Sequence, residues 1–363
     1  MIADPTRRLT PVVRLAPAKL NLTLAIVGRR RDGYHDLHSV MVPLALADVL
    51  TLAPAPDGPD TLHADGHDPG PPDANLVLQA IAAARDAVGS GWGSGGGGPV
   101  GPARSKAPSL AARLEKRIPV AAGLAGGSSD AVAALDGALE AWDAELDIRT
   151  RAAIAVRLGS DVTFFLAGGA ALVEGRGERV TPLRGIVGEA PGVLLVTPGM
   201  PLPTPVAYAA YDAGHRQADP GAIRAASGHL ADEVGAGLTT WRLLDRAAVI
   251  ASANDLIPAA ISIIPGLVGL RRALARLLGR PIAQSGSGPT LWALYPSLAE
   301  AAAAAESVRA AFTAGGLAIP GDRPPTILAT TILTTGAGAA AEGRGEAATP
   351  PADPRAPGKG FAT

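Results

Sequence analysis

The feature that most constrains the fold is a glycine-rich run, PVAAGLAGGSSD at residues 119–130, that leads directly into an apolar helical pattern. Its glycines let the backbone turn tightly and bring amide groups close to a ligand without steric clash from Cβ atoms. Ser128 and Ser129 are favoured N-cap residues, so we expect the helix to begin there, with unpaired N–H groups facing the loop. This arrangement binds phosphate, although a plain Gly/Ser turn before a helix has the same composition.

Charge and cysteine content exclude several functional classes. The 363 residues carry a formal net charge of −1, so no overall field attracts nucleic acid or an anionic membrane. There is no cysteine, which excludes thiol nucleophiles, disulfides and cysteine-ligated metals. No apolar run approaches the roughly 20 residues of a membrane span, and the N-terminus lacks the apolar core of a signal peptide. We therefore expect a cytoplasmic protein without a nucleic-acid or membrane partner.

Strand and helix patterns are interleaved irregularly along the chain. Residues 12–27 alternate between apolar and polar side chains, which is typical of a strand. Further strands are predicted at 39–46, 49–52, 109–116, 193–197, 290–296 and 325–333, and helices at 75–88, 130–142, 149–158, 220–232, 238–250, 267–278 and 299–312. Irregular interleaving, with hairpin-like strand pairs near the start, favours an α+β fold over a doubly wound parallel sheet.

Two segments lack any periodic pattern. Residues 89–101 contain eight glycines in thirteen positions and are predicted to be a flexible insertion. After about residue 336 the chain consists of Ala, Gly, Glu, Pro and Arg without periodicity, so we expect a disordered tail.

Lys19 and Asp161 are the first candidates for chemistry. The chain has only four lysines, and Lys19 stands at the start of the alternating strand, on the same side as Asn21. A compact ammonium suits a point charge beside a hydroxyl or phosphate, although a solvated strand end is an alternative. Asp161 lies between an amphipathic helix and an apolar run, where a carboxylate can orient or deprotonate a hydroxyl. It can equally cap a helix.

Two further candidates follow turns. Tyr34 and His35 come directly after the turn pair Asp32–Gly33, where an aromatic ring and an imidazole can stack on and hydrogen-bond a base. Ordinary hairpin decoration explains them equally well. The Ser/Gly run 285–288 has the same phosphate-loop chemistry on a smaller scale and is a weak signal alone.

Taken together, these segments resemble one family, the GHMP small-molecule kinases. PVAAGLAGGSSDAVAAL looks like the phosphate-binding motif of that family, and QSGSGPTLWALY resembles its third motif. APAKLNLTLAIVGRRRDGYHDLHSVM is similar to the N-terminal signature of the branch that acts on a cytidine diphosphate-linked methylerythritol. The likeness runs in order through about residues 12–335, and the combination of PAKLN, DGYH and GLAGGSSDA is specific.

The resemblance implies a two-domain α+β fold, with a ribosomal-protein-like N-terminal domain and a ferredoxin-like C-terminal α/β domain. We assign residues 1–180 to the N-terminal domain, with a flexible insertion at 89–105, residues 181–336 to the C-terminal domain, and 337–363 to the tail.

It also implies roles for matching positions. Lys19 and Asp161 correspond to the catalytic pair of the family, and Tyr34 and His35 to residues that hold cytosine. Asn21, Asn75 and Tyr208 lie where contacts with the substrate or the nucleotide are expected. The residues that correspond to the ATP loop are Pro119, Val120, Ala121, Ala122, Gly123, Leu124, Ala125, Gly126, Gly127, Ser128 and Ser129.

The implied reaction is ATP- and Mg²⁺-dependent phosphorylation of the 2-hydroxyl of the cytidyl substrate, a step of the non-mevalonate route to isopentenyl diphosphate. The sequence does not indicate the magnesium ligands, and it leaves open a monomer or a homodimer. The alternatives are another GHMP kinase, of homoserine or mevalonate type, and a non-catalytic nucleotide-binding protein. The DGYH run favours the cytidyl substrate, because an aromatic–histidine pair suits a base better than a short aliphatic acceptor.

Overall fold

The computed structural model describes residues 11–55, 58–68, 70–71, 74–89, 107–214 and 220–334. The predicted insertion at 89–105, apart from residue 89 and residues close to its end, and the predicted tail at 337–363 lie outside the described residues. Nothing further is said of them.

The described chain is a mixture of strands and helices, so the predicted α+β class is confirmed. The strands are β1 (Val12–Asn21), β2 (Ala25–Arg29), β3 (His35–Pro54), β4 (Thr61–Gly66), β5 (Leu110–Lys116), β6 (Ala171–Gly175), β7 (Arg179–Pro182), β8 (Ile186–Val187), β9 (Gly192–Thr197), β10 (Leu238–Thr239), β11 (Ala283–Gln284), β12 (Leu291–Tyr295) and β13 (Thr326–Thr331). The helices are α1 (Leu76–Gly89), α2 (Gly126–Ala141), α3 (Ile148–Leu158), α4 (Val162–Ala167), α5 (Thr204–Asp212), α6 (Pro220–Ala236), α7 (Thr240–Asp245), α8 (Ala247–Ser252), α9 (Ile257–Ile263), α10 (Gly266–Leu278) and α11 (Leu298–Thr313).

Strand β3 is the centre of a seven-stranded sheet with the order β4-β5-β3-β6-β7, and β1 and β2 also pair with β3. The two separate strands predicted at 39–46 and 49–52 are wrong, because β3 runs unbroken for 20 residues. The charged Asp48 suggested a break, but it lies fully buried within the strand and accepts an ion pair from Lys116. A buried, paired charge does not interrupt a strand.

The single alternating strand predicted at 12–27 is two strands, β1 and β2. Between them, Leu24 leaves the sheet: its N–H bonds to the carbonyl of Ala253, and its own carbonyl accepts from Asp255 N. The pairing of β1 with β3 also shifts register between Pro17 and Lys19. Lys19 therefore lies inside β1 rather than at a strand start, and its N–H bonds to the carbonyl of Leu124, 3.1 Å away, in the glycine loop.

The second half of the chain forms a four-stranded antiparallel sheet with the order β11-β12-β9-β13. Helices α10 and α11 cover one face, through a core that includes Leu270, Leu274 and Val308. The other face shares a core with the first sheet, in which Val40 and Val42 of β3 pack with Leu195 and Trp292. Because both faces of these strands are buried, their sequences are continuous apolar runs without alternation.

The helix predicted at 238–250 is wrong in detail. Leu238 and Thr239 form β10, which pairs in parallel with β8, and two short helices, α7 and α8, follow. Arg246 lies between α7 and α8, where its guanidinium bonds to both carboxylate oxygens of Glu233 at 3.0 and 2.6 Å. The periodicity is that of a helix, but this contact with α6 fixes a bend in it.

Among the described residues, no single helix has the length and apolar character needed to cross a membrane. One sharply bent pair, α9 with α10, meets the test on length and composition when the two are taken together.

Candidate active site

The glycine loop enters α2 two residues earlier than predicted. Helix α2 begins at Gly126, so the expected start at Ser128 and Ser129 is wrong. Ala125 supplies the N-cap from a left-handed conformation, with φ 55° and ψ 32°, and its side chain makes no capping bond. A Cβ on Gly126 would lie only 2.9 Å from the Lys116 ammonium, so close packing requires glycine there.

The Ser/Gly run 285–288, a weak signal in the sequence, packs directly on the loop. The Ser285 hydroxyl donates to the carbonyl of Gly123 at 2.9 Å. A Cβ on Gly123 would overlap the Ser285 carbonyl and the Gly288 backbone, and one on Gly288 would overlap the Ala122 and Gly123 backbone. The two turns therefore touch backbone to backbone, which allows no side chain at either glycine.

A cleft of about 350 Å³ lies along the loop. Of the predicted ATP-loop residues, Leu124 and Ser129 do not line it, whereas the others do. The Leu124 side chain packs in the core shared by the two sheets, and the Ser129 hydroxyl is buried without a hydrogen-bond partner. Asn75 lines the same cleft, and its side-chain oxygen accepts from Val77 N at 2.9 Å near the start of α1.

Lys19 and Asp161 lie together at one end of this cleft. The Lys19 ammonium is 3.6 Å from Asp161 Oδ2 and donates to Asn21 Oδ1 at 2.6 Å. Asp161 directly precedes α4, in the N-cap position, yet its side chain makes no capping hydrogen bond. The carboxylate is thus not used as a helix cap. Lys19 is buried, whereas the Asp161 side chain keeps 32% of its surface exposed and can reach a ligand.

A second cleft, of about 680 Å³, contains the aromatic candidates. Tyr34 is half exposed, and the Arg176 guanidinium lies 5.3 Å from the centre of its ring. His35 is buried and stacks on Tyr208 of α5, with ring centres 5.0 Å apart and planes inclined by 24°. His35 Nε2 lies 2.9 Å from Asp212 Oδ1, so Asp212 orients the imidazole. Burial raises the pKa of Tyr208, which keeps its hydroxyl neutral.

The two clefts meet at the reacting candidates. Side chains that line both are those of Lys19, Ser128, Asp161, Thr204 and Ser287. The Thr204 and Ser287 hydroxyls are 2.9 Å apart, which joins the start of α5 to the second turn. The structure therefore brings together every predicted catalytic and substrate-side residue around one continuous space.

A buried ion cluster lies behind the loop. The Lys116 ammonium pairs with Asp48 and with Asp130 of α2, the latter at 2.8 Å. Asp48 also accepts the N–H groups of Arg117 and Ile118, at 2.6 and 2.8 Å, whereas Asp130 Oδ1 has no hydrogen-bond partner. Desolvation, and then the neighbouring Asp48 carboxylate, raises the pKa of Asp130 to about 7. The cluster ties the first turns of α2 to β3 and β5.

Sequence reasoning missed Asp212, Arg176 and the ion cluster. Asp212 follows Tyr208 by four residues, so the two share one helix face, and that spacing was a usable signal. Arg176 lies in the loop after β6, and no local pattern distinguishes it from the many other arginines of the chain.

Across the part of the chain that the structure describes, no group of three or more His, Asp or Glu side chains could hold a metal ion. A magnesium site built mainly from protein carboxylates is therefore absent from the described residues. Mg²⁺ bound mostly through phosphates and water needs only one or two protein oxygens, which Asp161 and Ser128 can supply at the junction.

Comparisons with known proteins agree with this geometry. Residues 75–169 match the GHMP kinases N terminal domain. A 4-diphosphocytidyl-2-C-methyl-D-erythritol kinase from Deinococcus radiodurans is 37% identical over 84% of this chain and 91% of its own length. The chain belongs to the 4-diphosphocytidyl-2-C-methyl-D-erythritol kinase family. Another member, from Nocardia farcinica, is also 37% identical, over 85% of this chain and 92% of its own length.

Solved structures extend the likeness to the fold. A crystal structure of a 4-(cytidine 5'-diphospho)-2C-methyl-D-erythritol kinase superposes with a TM-score of 0.61 at 30% identity, covering 88% of this chain and 99% of that one. Homoserine kinase from Cytophaga hutchinsonii has a TM-score of 0.60 at 17% identity, over 92% of this chain and 97% of its own, which shows the shared fold alone. The predicted GHMP kinase fold and family are confirmed.

Proposed function

We propose that this protein transfers the γ-phosphoryl group of ATP to the 2-hydroxyl of 4-diphosphocytidyl-2-C-methyl-D-erythritol, releasing ADP. The observation that carries the proposal is the junction of the two clefts. A loop of backbone amides lies on one side, an aromatic and imidazole cluster on the other, and Lys19 and Asp161 stand between them.

The residues act in a definite order in this proposal. The loop amides and the N-terminal turn of α2 bind the nucleotide phosphates. Asp161 orients the 2-hydroxyl and accepts its proton as the hydroxyl oxygen bonds to phosphorus and the bond to the ADP oxygen breaks. Lys19, held by Asn21, neutralises charge that develops on the transferred group.

Mg²⁺ is proposed as the metal cofactor, with Asp161 and Ser128 as the side chains that would hold it. When bound, the ion neutralises phosphate charge. The expected cluster of oxygen ligands from protein is small, which is consistent with the few acidic groups at the junction.

At the other end of the site, Tyr34, His35, Asn21 and Tyr208 are proposed to bind the substrate. Tyr34 and Tyr208 offer ring faces for the cytosine, and His35 offers a hydrogen-bonding edge that Asp212 orients. A short aliphatic acceptor such as homoserine or mevalonate would leave these rings unused, which is the reason for preferring the cytidyl substrate.

The domain division is proposed to fall near residue 180. All strands of the seven-stranded sheet lie at or before Pro182, and all strands of the four-stranded sheet lie at or after Gly192, which supports this division.

The test is ADP release from ATP and Mg²⁺ with each acceptor offered separately. We expect turnover with the cytidyl substrate and none above background with homoserine or mevalonate. Release with homoserine or mevalonate alone would overturn the substrate, and release with no acceptor tested would overturn the kinase assignment.

A further inference from the structure

A buried chain of hydrogen bonds leads away from the reacting end of the cleft. Lys19 Nζ donates to Asn21 Oδ1 at 2.6 Å, and Asn21 Nδ2 donates to Ser39 Oγ at 2.8 Å. The Ser39 hydroxyl in turn donates to the backbone carbonyl of Thr23 at 2.5 Å. Lys19, Asn21 and Ser39 are at most 4% exposed, so water does not compete for these bonds.

The end of this chain sets the direction of every bond in it. A serine hydroxyl has one proton, and a backbone carbonyl can only accept. Once Ser39 gives its proton to Thr23, it presents only a lone pair to Asn21. The amide must then turn its NH₂ group to Ser39 and its oxygen to Lys19. The reversed amide would place N–H donors against an ammonium, which is itself a donor.

The second Ser/Gly turn closes over this amide and ammonium. A Cβ on Gly286 would lie 2.9 Å from Asn21 Oδ1 and 3.3 Å from Lys19 Nζ, so the backbone itself covers the pair. In a site with little water, an ammonium depends on its few fixed partners. For Lys19 these are the Asn21 oxygen and the Asp161 carboxylate. If the amide turned away, the ammonium would be drawn toward Asp161, away from the transferred group.

We propose that Ser39 is a positioning residue of this kinase, which fixes the Asn21 amide and thereby holds the Lys19 ammonium at the reacting end of the cleft. The inference rests on the proposed function, since it concerns how Lys19 serves phosphoryl transfer. Ser39 itself touches neither clefts' lining nor the reacting groups.

The experiment compares Ser39→Ala with Ser39→Thr, which keeps the hydroxyl. A displaced catalytic group lowers turnover, so for Ser39→Ala we expect kcat to fall about tenfold, with the KM values for ATP and cytidyl substrate within about twofold of the wild type. Ser39→Thr should recover most of the turnover. An unchanged kcat in Ser39→Ala, or no recovery in a folded Ser39→Thr, would overturn the proposal.

The matched control is Ser227→Ala. Ser227 is also fully buried, and its hydroxyl lies 2.7 Å from Thr23 Oγ1 and 2.8 Å from His38 Nδ1, beside the chain but outside it. We expect this variant to lose stability and keep its kcat, whereas an equal loss of kcat would show that Ser39 acts only through general packing. Should Ser39→Ala fail to fold, Ser39→Cys, with a thiol that is a weak donor and acceptor, carries the same expectation.

The two proposals fail differently. A wild-type protein that releases no ADP with the cytidyl substrate would remove the function and this inference together. An active wild type with a fully active Ser39→Ala would remove this inference alone.

Discussion

The two clefts that meet at Lys19 are built from different parts of the polypeptide. The loop cleft is shaped by backbone, where Gly123 and Gly288 press against one another and leave no room for a side chain. The aromatic cleft is shaped by side chains of residues far apart in sequence, such as His35 and Asp212. A site for phosphate needs many N–H groups at one point, whereas a site for a base needs ring faces and a few oriented polar atoms. Substitutions at the two ends should therefore affect different kinetic constants.

The largest effect is expected where the two clefts join. Asp161→Asn keeps the size of the side chain but removes the group that accepts the hydroxyl proton, so kcat should fall at least about a hundredfold. Neither KM should change more than a few-fold, because Asp161 belongs to neither end alone. Steady-state ADP release measures both constants. Near-normal turnover would rule out the assigned role.

The next effect tests the backbone end. Gly123 has φ +81°, and an added Cβ would overlap Ser285 and Gly288, so Gly123→Ala must move one turn or the other. We expect the KM for ATP to rise about tenfold or more and the free energy of unfolding to fall by roughly 1–3 kcal/mol, while the KM for the cytidyl substrate stays within about twofold. Kinetics at varied ATP and a urea titration measure these.

Gly279→Ala is the control for backbone strain alone. Gly279 ends α10 with φ +61° and has nothing within 4 Å of an added Cβ. It should lose roughly 1–2 kcal/mol of stability from the left-handed conformation and keep a normal KM for ATP. Equal KM values in the two variants would mean that contact between the turns has no part in nucleotide binding.

A smaller effect is expected at the side-chain end. Asp212→Asn weakens the bond that orients His35, so the KM for the cytidyl substrate should rise roughly three- to tenfold, with the KM for ATP unchanged. The exposed pair Arg309–Glu306 provides a control, since Glu306→Gln should alter neither constant. A rise in the KM for ATP instead would contradict the separation of the two ends.

The smallest effect concerns stability behind the loop. The pKa of Asp130 is about 7 in the folded protein against an ordinary value of 3.8, so between these pH values the folded state holds a proton that the unfolded state has lost. The free energy of unfolding from this group therefore falls as the pH rises from about 4 to 7. Asp130→Asn lacks this loss, and urea titrations should show it gaining stability relative to the wild type between pH 5 and pH 8. A constant difference would show that Asp130 is ionised throughout.

The backbone end was the more readable of the two in the sequence. Glycines at close contacts and a helix pattern directly after them are local signals, and the predicted loop contains the residues that line the cleft. The exact helix start was not readable, because Ala125 caps α2 through a left-handed backbone that no alanine predicts.

The side-chain end was readable only in pieces. Tyr34 and His35 were singled out, but the pairing of His35 with Asp212 depends on how α5 folds back on β3, which no local pattern contains. The unbroken β3 was missed for a related reason, since Asp48 reads as a break until its partner Lys116 is known. Long-range pairing of charges was the common limit.

Strand β3 carries His35 at the base-binding end, Ser39 beside the catalytic lysine, and Asp48 under the phosphate loop. A strand advances about 3.3 Å per residue and alternates its faces, so one inserted residue would both lengthen it and turn the following side chains over. Such an insertion between Ser39 and Asp48 would put the two ends of the site out of phase at once. The chain can therefore change the side chains along this strand, but not the number of residues in it.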